Sequence, residues 1–162
     1  MKPELNTYMR IETIASVVIN ALINIFIIWF TKKGEGTLYL YGDKGYGIDI
    51  IFTCFLLFFL MSLIVLAIQR ARVKSGKAPD FNWDKGQLAH RVLVHFPRSV
   101  WLSALLFGLL ALIIFAPVTL VALAAAGISE FTVLNYTIFK GIWVAVVVWI
   151  TVPHVLHVGL AR

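Results

Sequence analysis

Four long apolar stretches alternate with polar connections along the chain, at residues 11–30, 48–68, 100–126 and 137–158. A helix rises about 1.5 Å per residue, so roughly 20 apolar residues cross the roughly 30 Å hydrocarbon core of a bilayer. The pattern predicts an all-α membrane protein: one domain, residues 1–162, with four transmembrane helices packed as a bundle. The first stretch is too long for the apolar region of a cleaved signal peptide, and Trp29-Phe30-Thr31-Lys32-Lys33 offers no small-residue cleavage site.

The connections differ in character. Residues 31–47 carry five glycines together with Tyr39, Tyr41 and Tyr46. That mixture suits a turn at a membrane–water boundary, with a short hairpin around Gly42-Asp43 as one form of it. The connection at 73–99 begins with a flexible basic loop, residues 74–79. In residues 84–96, Leu88, Val92 and His95 recur at helical spacing, which predicts a short amphipathic helix on the membrane surface. Pro97 separates it from the third span. Pro117 is expected to kink that span, and the small run Ala122 to Gly127 is expected to let a neighbouring backbone approach. A ten-residue turn, 127–136, leads to the fourth span.

Composition sharpens the membrane reading. Of 162 residues, 60% are hydrophobic and 14% charged, against about 45–50% and about 25% in soluble domains. A net charge of +6 raises the question of nucleic acid. Its distribution answers it, since seven of the fourteen Lys and Arg residues fall within 69–99. Such clustering is the cytoplasmic bias of a membrane protein, and no nucleic-acid partner is expected. With that loop inside, ten basic residues lie on the inner side, Lys2, Arg10 and Arg162 among them. Lys32, Lys33, Lys44 and Lys140 remain on the outer side. Both termini are therefore expected in the cytoplasm, with the 69–99 loop on anionic headgroups. A bacterial inner membrane suits so short a chain. The lone Cys54 forms no intramolecular disulfide and reads as a small buried or lipid-facing residue.

A shift of ninety residues aligns Tyr46 with Tyr136, Ile48 with Ile138, and Ala71-Arg72 with Ala161-Arg162. This admits two parallel helical hairpins related by an axis along the membrane normal, and chance identity stays open beside it.

Polar residues inside apolar spans each demand a partner. Glu12, Ser16, Asn20 and Asn24 stand four apart and form one stripe on the first span. Asp49 and Thr53 do the same at the start of the second. Two readings compete for the stripe, glue between helices and the wall of a solute or ion path. Asn24, Thr53 and Asp49 are candidates for one hydrogen-bonded network. Asp49 is expected either to pair with Lys140, at the same depth on the fourth span, or to couple protons or cations.

At the other end, His154 and His157 share a face near Glu12 in depth, and His90 and His95 belong to the same side. Metal or haem ligation is the sharper reading, and capping or headgroup contact the plainer one. No nucleophile–base set, Walker loop or dinucleotide fingerprint occurs, so neither catalysis nor a cofactor is expected. Two functions remain. One is a permease-like component for a small solute or cation, acting as a homo-oligomer. The other is an accessory subunit packed against a larger membrane partner through the small-residue face of the third span.

Overall fold

The computed structural model describes residues 3–42, 45–84, 86 and 88–161. Lys2, Lys44, Lys85 and Arg162 of the charge count, and Asp43 of the expected hairpin, lie outside the described residues. Four helices are long and apolar enough to cross a membrane: α1 (Leu5–Lys32), α2 (Tyr46–Lys74), α4 (Val100–Ala125) and α5 (Val133–Leu160). The chain is a small membrane protein on that ground. Each helix begins at or before the expected span, because polar turns extend it beyond its apolar centre. Helix α4 runs unbroken through Pro117. The helix expected at 84–96 is shorter, α3 (Leu88–Leu93), and it packs on α5. Leu88 and Val92 are exposed while His90 and Leu93 are buried.

The helix ends follow local chemistry. Ser99 caps α4 by accepting from the Leu102 N–H, and Thr132 caps α5 by accepting from the Asn135 N–H at 3.2 Å. Helices α2 and α4 stop in the same way. Gly76 and Gly127 take φ of +69°, and the next residue's N–H returns to a carbonyl five residues back, Lys77 to Arg72 and Ile128 to Leu123. A residue with a Cβ would be strained at that φ.

One short strand pair accompanies the helices. Strand β1 (Thr37–Tyr39) pairs antiparallel with β2 (Glu130–Thr132), joining the two connections at one end of the molecule. Pairing therefore runs between residues 91 to 95 apart and not, among the described residues, within a local hairpin. The opposite end, the termini end, carries the start of α1, the end of α5 and α3.

The packing order is α1–α5–α2–α4. Helix α1 lies along α5, α4 lies along α2, and α2 meets α5. Each hairpin thus places its first helix on the second helix of the other. Exchanging α1 with α4 and α2 with α5 reproduces the contacts among the four long helices, and Leu38 pairs with Phe131 at the centre of the strand register. Tyr46 and Tyr136 meet with ring centroids 5.4 Å apart.

The core runs down the α2–α5 seam through Phe58, Leu66, Val144, Val148 and Val152, with Phe107 and Ala111 of α4 against it. Close approach depends on isolated glycines. A Cβ on Gly108 would stand 3.1 Å from the Phe55 carbonyl oxygen, and one on Gly159 would stand 2.7 Å from Gln69 Cβ. The run Ala122–Gly127 is not approached by a helix of the same chain: its alanines are exposed, and Leu123 of that turn faces the core.

Candidate functional site

Because α1 packs on α5 and not along α2, a cleft separates α1 from α2. Its volume is about 620 Å³, and only α1 and α2 line it. It follows α2 from Asp49 to Gln69, twenty residues and so about 30 Å of helix. Ile19, Ile23, Phe52 and Ile64 on its rim are exposed, so the cleft opens along the side of the protein. In a membrane that side faces lipid.

The polar residues singled out by spacing converge here. Ser16, Asn20 and Asn24 line the cleft from α1, and Asp49 and Thr53 line it from α2. The asparagines do not bridge helices. Asn20 Nδ2 donates to the Ser16 carbonyl at 2.7 Å and Asn24 Nδ2 to the Asn20 carbonyl at 2.9 Å. Four-residue spacing brings each amide over the carbonyl one turn back, so the bond is local. Asn24 makes no bond to Thr53 or Asp49 among the described residues, and the three do not form one network.

Lys140 replaces it there. Its ammonium, on α5, pairs with Asp49 Oδ2 and donates to Thr53 Oγ1 at 2.6 Å. The Tyr136 hydroxyl donates to the same Asp49 oxygen. Lys140 is fully buried, whereas the Asp49 side chain keeps 31% of its exposure, on the cleft side. A buried ammonium needs a carboxylate and further acceptors, and Thr53 one turn beyond Asp49 supplies the second.

At the termini end the cleft is closed by a ring of four side chains. Arg72 Nη1 pairs with Glu12 Oε1 at 2.6 Å and donates to the Tyr8 hydroxyl at 2.7 Å. Tyr8 donates to Gln69 Oε1, and Gln69 Nε2 donates to Glu12 Oε2 at 3.1 Å. Tyr8, Gln69 and Arg72 were missed by spacing within single spans. The signal lay between spans: Tyr8 and Glu12 are four apart on α1, and Gln69 and Arg72 three apart on α2, at matching depth.

Glu12 is therefore committed to α2 and makes no contact with His154 or His157. His157 stacks on Phe81, with centroids 5.1 Å apart, and meets His90 edge to face at 4.6 Å. His90 Nδ1 accepts from the Asp84 N–H at 3.0 Å. A neutral His90 thus carries its proton on Nε2, which makes that nitrogen a donor and not a metal ligand. His154 and His157 each bury an unbonded Nδ1. Among the described residues no group of three His, Cys, Asp or Glu side chains is placed to hold a metal ion.

The pseudo-equivalent gap, between α4 and α5, is smaller, about 340 Å³, and it is lined in part by Ala89 and Leu93 of α3 and by Phe96 beyond that helix. Its lining is apolar apart from Thr151 and His154. Polar chemistry is concentrated in one cleft of the two. Compared with protein-family models, with curated proteins and with solved structures, the chain matches none.

Proposed function

We propose that this protein is a permease-like membrane component that takes a small solute or cation into the α1–α2 cleft, acting as an oligomer. Both termini and the basic 69–99 connection are assigned to the cytoplasm, with α3 at the inner surface of a bacterial inner membrane and the connection on anionic headgroups. No catalytic role is assigned. The observation that carries the reading is that Ser16, Asn20, Asn24, Thr53 and Asp49 all line one cleft of bilayer length. Side chains serving only as helix glue would bond across an interface, and the two asparagines bond within their own helix.

The test is flux into proteoliposomes of inorganic cations, alkylammonium ions and uncharged amphiphiles, set against protein-free liposomes. Flux above the blank that falls in Asn20→Leu/Asn24→Leu supports the reading. Blank-level flux for every probe, with protein correctly folded and inserted, contradicts it.

One observation favours the accessory reading. Ala122, Ala124, Ala125 and Ala126 form an uncovered small-residue surface at the strand end of α4, which suits close approach by a partner helix. Ala124→Leu separates the two: it disrupts a partner complex and leaves cleft-dependent flux in place.

A further inference from the structure

Oxygen acceptors stand along the cleft. Asn20 and Asn24 each commit one Nδ2 hydrogen to a backbone carbonyl, which leaves Oδ1 and the second Nδ2 hydrogen of each amide for a ligand. Asp49 commits Oδ2 to Lys140 and Tyr136, which leaves Oδ1. Among the described residues, the charged side chains lining the cleft are acidic, Glu12 and Asp49, one at each end. Their basic partners, Arg72 and Lys140, lie outside the lining. The remaining wall is aliphatic apart from Phe52, Ser16, Thr53 and Gln69.

We propose that the cleft binds a lipophilic amine, an ammonium head carrying one apolar tail, which enters from the lipid through the open side. The proposal rests on the reading of the cleft as a solute site and names its ligand class. The Asp49 oxygen left over by Lys140, with the amide oxygens of Asn20 and Asn24 along the same wall, accepts from a donor-bearing cation and disfavours an anion. The aliphatic wall gives the tail an environment like the lipid it leaves.

Other occupants fit less well. Residues four apart are about 6 Å apart along a helix axis, so the acceptor row cannot surround a bare ion, which takes about six oxygens. A phosphatidylethanolamine headgroup has an ammonium, but its phosphate would come close to Asp49 or Glu12.

The experiment uses the purified full chain in phosphatidylcholine nanodiscs. Native mass spectrometry and calorimetry measure binding of dodecylammonium, dodecanol and dodecyl sulfate against empty nanodiscs. Dodecylammonium should bind saturably and about tenfold or more tighter than dodecanol, and dodecyl sulfate should not bind saturably. Asn20→Leu/Asn24→Leu, or Asn20→Ala where the double variant fails to fold, should erase the preference for the amine. Dodecanol or dodecyl sulfate binding as tightly as the amine overturns the ligand class and leaves the solute site standing. Saturable binding of none overturns both. Phosphatidylethanolamine in the nanodisc displacing the amine at equal potency makes the lipid headgroup the occupant and overturns the proposal. So does self-association that excludes the probe.

Discussion

Lys140 and Asp49 form an ion pair across the α2–α5 seam in which only the acid reaches the cleft: the lysine is fully buried and the aspartate partly exposed. This asymmetry gives the site its sign. The cation holds the carboxylate in place, and the carboxylate presents its second oxygen to the open side.

The pair also predicts unequal damage. Asp49→Asn strands a fully buried ammonium, and breaking such a pair costs about 3–5 kcal/mol. Lys140→Met leaves a carboxylate that still borders an open cleft, so it should cost clearly less. Asp49→Asn/Lys140→Met should recover much of the single loss. Thermal or denaturant unfolding in detergent checks the order, and equal losses for both single variants would contradict the burial asymmetry.

Gln69→Leu opens the ring at the termini end. It removes the Tyr8 and Glu12 contacts of a buried amide and leaves them unsatisfied, at about 1–3 kcal/mol. Because α1 and α2 are not packed along their lengths, the effect should be local. Hydrogen exchange should quicken in the first turns of α1 and change little at the α2–α4 contact.

The glycine contacts should differ in cost. Gly159→Ala meets Gln69 Cβ, an atom with no freedom to move away, and Gly141→Ala meets the tip of the Ile25 side chain at 2.6 Å. Ile25 is exposed and can turn aside. Gly159→Ala should therefore show the overpacking loss of about 1–3 kcal/mol, and Gly141→Ala less than half of it. Paired melting curves read this directly.

Much of the architecture was legible from periodicity. Apolar length located the four crossing helices, and four-residue spacing brought Ser16, Asn20, Asn24, Asp49 and Thr53 to one place. Partners between helices were less legible, because spacing within one span says which face a residue occupies and not which helix it meets. Asn24 was matched to Thr53 by depth, yet α1 stands away from α2 and its amide turned to its own backbone. Glu12 was grouped with His154 and His157 by depth, yet Arg72 and Gln69 hold it. The strand pair was hidden for a related reason, since Thr37 and Thr132 lie in connections that carry no strand pattern of their own.

The central claim is that the α1–α2 cleft is an occupiable site and not a seam. The most direct test is ligand protection of single cysteines in a Cys54→Ser background, with Ile23→Cys in the cleft and Val18→Cys on the exposed outer face of α1. A membrane-permeant maleimide is applied in nanodiscs with and without dodecylammonium. The account predicts that the amine slows labelling after Ile23→Cys severalfold and leaves labelling after Val18→Cys unchanged. Equal protection at both positions, or none at either, would contradict it.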